Sequence, residues 1–275
     1  MNYRVIHTTT YTYTSPAALS QNDARLTPRD TVFQKLVSQQ WITDPAPESE
    51  QEHRDFFGNT WRSFAFEQPH RSLRIEVQSN VQVNHPDTMI GDGSLGGWQP
   101  FLLASPYVPL GGEYARYAGP SFPTGRDRLS GLIDLTERLF ADITYDPEAT
   151  EISTPVAEFF RTRRGVCQDY AHLALACLRS TGIPARYVSG YLNTIPPPGK
   201  EKVLGADASH AWVAAWCDGL GWVDLDPTNG VVVRDNHITL GWGRDYGDVP
   251  PLRGVVLGGG VATLVVQVSV LEGSA

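Results

Sequence analysis

Three side chains able to share one task stand in the order Cys167, His210, Asp226. A thiol is a weak nucleophile until its proton leaves. A helix N-terminus, a nearby imidazole and a carboxylate that orients the imidazole each favour the thiolate. Cys167 follows the glycine turn Arg163-Arg164-Gly165-Val166 and opens a predicted helix. His210 and Asp226 fall on two adjacent strand-like runs, SHAWVAAW and GWVDLDPT. The set predicts a cysteine-dependent acyl-transfer enzyme.

If the two runs form a hairpin around Cys217-Asp218-Gly219-Leu220-Gly221, Trp216 lies opposite Trp222 and Trp212 opposite Asp226. Side chains alternate with period two, so His210, Trp212, Trp216, Trp222, Asp224 and Asp226 then share one face. Asp226 becomes the diagonal neighbour of His210 at ~7 Å between backbones, and Asp224 sits one pair further away. The expected roles are Cys167 as nucleophile, His210 as base and then acid, and Asp226 as the group that sets the imidazole tautomer. The Cys167 N–H, at a helix N-terminus, is a natural oxyanion donor. Gln168, Tyr191, Ser209 and Trp212 are expected to line the site.

Other candidates weigh less. His172, five residues beyond Cys167 on the same helix, points ~140° away from the thiol and reads as structural. Cys177 reads as buried packing and Cys217 as a turn residue. His7, His53, His70, His85 and His237 have no acid or thiol partner at a diagnostic spacing.

The elements that must position these groups divide the chain in two. From Tyr3 to Tyr13 the residues alternate in β-forming fashion, and similar runs follow at Val32–Ile42, Thr60–Phe66 and Ser72–Val83. Residues 1–85 are therefore expected to form an antiparallel β-sandwich. Residues 86–275 are expected to be the catalytic domain, with 86–127 a connecting segment and 261–271 a closing strand. Predicted helices cover Arg128–Phe140, Val156–Arg161 after Thr154 as N-cap and Pro155 in the first helical position, and Cys167–Thr181, which stops at Gly182. A strand at Ala185–Leu192 and a rigid loop at Pro196–Gly199 precede the hairpin. The fold class is α+β, a helical cluster against an antiparallel sheet.

Composition narrows the function. With 22 basic against 30 acidic residues the net charge is -8, which disfavours a nucleic-acid partner. No apolar run approaches the ~20 residues of a membrane span. Three cysteines without a CxxC or zinc-ligand spacing suit a reduced compartment, so the expectation is a cytoplasmic protein with no membrane association. Composition leaves the oligomeric state open.

RRGVCQDYAHLALACLRSTGIPARYVSGYL and DASHAWVAAWCDGLGWVDLDPTNG together resemble the catalytic core of bacterial transglutaminase-like cysteine proteins. The opening YRVIHTTTYTYTSPAALSQNDARLTPR, DFFGN at Asp55–Asn59 and the later GRDYGDVPPLRG resemble the N-terminal β-domain and C-terminal segment of one bacterial subfamily. The resemblance implies a papain-like core and Cys167, His210 and Asp226, the last in DPTN, as nucleophile, base and third member. It also implies a peptide or protein substrate with no cofactor and no metal, since the acidic calcium loop of animal transglutaminases is missing. The leading expectation is a thiol peptidase or amidase working through a thioester. The alternatives are a protein-glutamine amine transferase and, from another class, a binding or scaffold module without turnover.

Overall fold

The computed structural model describes residues 1–86, 90–194, 205 and 209–273. The chain opens with five strands, β1 (Asn2–Ala24), β2 (Gln34–Asp44), β3 (Ser49–Arg54), β4 (Thr60–Phe66) and β5 (His70–Val83). Helices α1 (Gly112–Ala118) and α2 (Arg128–Asp142) follow. The short strands β6 (Thr144–Tyr145) and β7 (Arg164–Gly165) flank α3 (Val156–Thr162), and α4 (Cys167–Ser180) comes next. The remaining strands are β8 (Ala185–Leu192), β9 (Ser209–Cys217), β10 (Gly221–Asp226), β11 (Val231–Val232), β12 (His237–Gly243), β13 (Leu252–Gly258) and β14 (Ala262–Glu272).

Two antiparallel sheets carry the architecture, which is α+β as the pattern of the sequence indicates. The first has seven strands in the order β2-β5-β1-β4-β3, with β13 and β14 also paired to β1. β1 is long enough for its halves to take different neighbours: Tyr3–Tyr13 pairs with β14, and Ala17–Ala24 pairs with β13. Tyr3, Val5, His7, Thr9 and Tyr13 are buried on one side of it, the period-two alternation visible in the sequence. The final strand, expected to close the catalytic domain, thus completes the first sheet instead. Residues 86–127, expected as a connector, contain α1, whose Tyr114 and Ala118 join the helical core.

The second sheet runs β11-β10-β9-β8-β12. Ala211, Val213, Ala215 and Cys217 of β9 face α4, while Trp212, Ala214 and Trp216 face the opposite way with Trp222 and Phe101. Cys217, expected in the turn, is the buried last residue of β9 and pairs with Gly221. Tyr191, Ile238 and Leu240 reach into the core of the first sheet. The two sheets therefore share a packed boundary.

α4 is buried from Asp169 to Arg179, including the polar Asp169, His172 and Arg179, so it forms the centre of the second unit rather than a surface helix. Leu173, Leu175 and Leu178 each contribute about 1.5–3 kcal/mol by leaving water. That packing holds the first residue of the helix, Cys167, in a fixed place. α3 begins one residue later than its expected start, with Pro155 in the N-cap position. The Pro196–Gly199 loop lies outside the described residues.

Candidate active site

Gly165 and Asp169 fix the entry to α4. A Cβ on Gly165 would lie 2.5 Å from the Asp169 carboxylate and 2.8 Å from the Phe159 ring, so only glycine lets the turn close. The Val166 N–H and the Thr150 hydroxyl donate to Asp169 Oδ2 at 2.9 and 2.6 Å. Burial raises the Asp169 pKa, and these two hydrogen bonds oppose the rise. Cys167 then occupies the first helical position, where its N–H has no intrahelical partner. Its side chain is partly exposed, whereas Cys177 is buried and its thiol is pushed up to about 12 by desolvation. Of the two cysteines of α4, Cys167 is the one that meets solvent and an imidazole.

β9 and β10 supply that neighbour. Trp216 pairs with Trp222 and Leu225 with Val213, the register expected for the hairpin, and Asp226 ends the strand directly beyond. His210 Nε2–H donates to Asp226 Oδ2 at 2.7 Å. Burial pulls the His210 pKa down, but hydrogen bonding and charge from Asp226 and from Cys167 outweigh it, and the net shift is upward. With Nε2 held by the carboxylate, Nδ1 is the nitrogen left for the thiol. The imidazole is thus poised between a carboxylate and a sulfur.

Asp226 has no exposed surface, yet its charge is fully solvated by protein. Oδ1 accepts from the Thr228 and Asn229 N–H groups at 3.0 and 3.3 Å, the turn that a DPTN sequence favours. Oδ2 accepts from His210 at 2.7 Å, from Asn229 Nδ2 at 2.7 Å and from His237 Nε2 at 3.0 Å. Burial alone would favour the neutral acid. The hydrogen bonds and charge of His210 and His237 prevail and carry the pKa well below the carboxylate range.

His237 is the residue that reasoning from sequence missed, because a histidine 11 positions after Asp226 has no diagnostic spacing. It reaches the carboxylate because β12 lies beside β8, where His237 pairs with Leu192 while Gly190 pairs with His210 on the other side. A Cβ on Gly190 would sit 2.4 Å from the Trp212 ring, so glycine there lets the indole pack beside both histidines. Its ring centroid is 6.1 Å from that of His210 and 5.2 Å from that of His237.

His210, Asp226 and His237 bring three ligand-type atoms within 4.8 Å of one another. Oδ2 is their meeting point, with the two imidazoles and the Asn229 amide converging on it. The arrangement is a hydrogen-bonded group.

The other expected residues divide. Trp212 packs beside His210, and Ser209 precedes it on β9. Gln168 donates to the Ile152 carbonyl at 3.0 Å, turned toward the loop before α3. Tyr191 is buried toward the first sheet, with its hydroxyl 3.0 Å from His7 Nδ1. His172 is buried as well: its Nε2 accepts the Tyr246 N–H at 3.2 Å, and desolvation lowers its pKa to about 4. Among the described residues, Asp224, the competing carboxylate, accepts one side-chain hydrogen bond, from the Trp212 indole at 3.4 Å.

Comparison with known proteins agrees with this architecture. Residues 3–82 match the bacterial transglutaminase-like N-terminal region, and residues 121–227 match the transglutaminase-like superfamily. An uncharacterized protein of Mycobacterium tuberculosis is 40% identical over 92% of this chain and 87% of its own. A protein-glutamine gamma-glutamyltransferase of Pseudomonas aeruginosa is 38% identical over 31% of this chain and 13% of its own. The crystal structure of a candidate cysteine protease from Cytophaga hutchinsonii superposes with a TM-score of 0.77 at 21% identity, covering 100% of this chain and 92% of that one, and shares the fold. The chain belongs to the transglutaminase-like superfamily, in the bacterial form that carries its own N-terminal region, and it is a cysteine-dependent enzyme in general outline. Among the described residues no helix is long and apolar enough to cross a membrane.

Proposed function

We propose that the protein is a thiol peptidase or amidase that hydrolyses peptide or isopeptide amides, with Cys167, His210 and Asp226 as its catalytic triad. The observation that carries this reading is His210, which donates to Asp226 on one side and is pushed upward by the Cys167 thiol on the other. His210 Nδ1 takes the thiol proton, and the thiolate attacks the substrate carbonyl. The oxyanion that forms faces the Cys167 N–H at the helix N-terminus. Collapse breaks the C–N bond, the amine leaves with the proton from His210, and a thioester remains. Water then attacks with His210 as base, which frees the acid and restores the thiol. Three free cysteines suit a reducing, cytoplasmic setting.

Amine transfer is the second reading, favoured by the partial match to a glutamyltransferase. It differs only in the nucleophile that resolves the thioester. Alkylation with iodoacetamide followed by peptide mapping tests the shared part. Label is expected on Cys167, with turnover of a peptide library abolished in Cys167→Ala. Label confined to Cys177 or Cys217 refutes the assignment. A tagged primary amine supplied with a glutamine peptide then separates the two, because incorporation without hydrolysis selects the transferase.

A further inference from the structure

The triad leaves one buried polar contact unexplained, the second imidazole on its carboxylate. His237 Nε2–H donates to the same Asp226 oxygen that receives His210, at 3.0 Å against 2.7 Å. Its Nδ1 is buried with no partner among the described residues, and the ring lines a cavity of about 230 Å³ behind the site. His237 is bound to one atom, and that atom is the one His210 uses.

We infer that His237 is a positioning residue for the Cys167–His210–Asp226 site, holding the Asp226 carboxylate ionised and oriented toward His210. The inference rests on the reading of Cys167 as nucleophile. Without the His237 donor, Asp226 keeps its turn N–H groups and Asn229, but it loses one of the two groups that fix the position of Oδ2 along the His210 axis. The carboxylate then protonates at higher pH, His210 loses its counter-charge, and the thiolate is lost with it. Among the described residues, the titratable and charged groups around His237 include Asp226 and Asp224 of β10, His210 of β9, Arg186 of β8, His85 and Asp92 beside the cavity, and Arg234 and Asp235 just before His237 in the chain. The charge state that matters here is that of Asp226.

The test is the rate of iodoacetamide alkylation of Cys167 between pH 4 and 8, which needs no substrate. His237→Leu is expected to slow alkylation about ten-fold at the acid end, the loss that one charge-assisted hydrogen bond represents, and to move the acid limb upward. His237→Gln, whose carboxamide N–H reaches as far as Nε2, is expected to restore the wild-type profile. His237→Asn, too short to reach Asp226, serves as the deciding variant if the leucine form does not fold. A leucine or asparagine profile that overlays the wild type, even with a lowered melting temperature, overturns the inference and leaves His237 structural. A wild-type Cys167 that reacts no faster than a cysteine in an unfolded peptide overturns instead the nucleophile reading.

Discussion

Two carboxylates of β10, the part-exposed Asp224 and the buried Asp226, sit two residues apart on one face of one strand and end in opposite states. Asp226 receives five N–H groups, from the Thr228 and Asn229 backbone, the Asn229 side chain and two imidazoles, and its pKa is held low. Asp224 receives one long indole contact, and desolvation raises its pKa against the opposing charge of Arg186. Arg186 acts on it by charge, its guanidinium stacked between Trp222 and Trp242 with ring distances of 4.4 and 3.8 Å. Burial by itself pushes a carboxyl toward neutrality, and only a dense set of donors makes a buried carboxylate a lasting anion. That is why Asp226 suits an orienting role and Asp224 does not.

The sharpest break of this comparison is to neutralise each in turn. Asp226→Asn is expected to lower turnover by roughly 10³–10⁴-fold, because the amide can present N–H where the imidazole needs an acceptor. Asp224→Asn is expected to leave turnover near wild type. Steady-state rates on any peptide that the wild type cleaves decide it, and an Asp224→Asn loss equal to that of Asp226→Asn would erase the distinction. A smaller effect follows from trimming one donor. Asn229→Ala removes the 2.7 Å side-chain bond to Oδ2 and should reduce kcat/KM about ten-fold, with the fold intact by circular dichroism.

The smallest expected effect separates the site from the rest of the core. His7 and His172, both deeply buried, have pKa values lowered to about 4, chiefly by desolvation. In the unfolded chain they titrate near 6.5, so between about pH 6.5 and 4 the unfolded state binds more protons. Their contribution to stability is present above that window and is lost as pH falls through it. Asp226, depressed in the fold, acts in the same direction at lower pH. The melting temperature is therefore expected to fall on acidification from pH 7 to 4.5, and His172→Gln should flatten that slope while leaving the Cys167 alkylation rate unchanged. A variant that changed the rate instead would place His172 in the site.

Much of this was legible in the chain because it depends on near neighbours. The glycine turn before Cys167, the strand at Ala185–Leu192 and the alternation that sets His210 and Asp226 on one face are all local patterns, and the structure reproduces them. What escaped involves distant segments. His237 had no reason to be paired with Asp226 until β12 lay against β8. The final strand gave no sign that its partner was residues 3–13 at the opposite end of the chain. Tyr191, a neighbour of the site by chain position, turned instead to His7 of the first sheet.

The amino-acid order alone determined which residue types recur at helical and strand periods, hence where a thiol meets a helix N-terminus and which side chains share a strand face. Period is a property of the backbone and needs no partner. The tertiary structure decided which strands lie side by side, and with that which of seven histidines surround one carboxylate and which carboxylate remains charged. Those outcomes arise from hydrogen bonds and desolvation between segments far apart in the chain, set only when both surfaces are brought together and water is excluded.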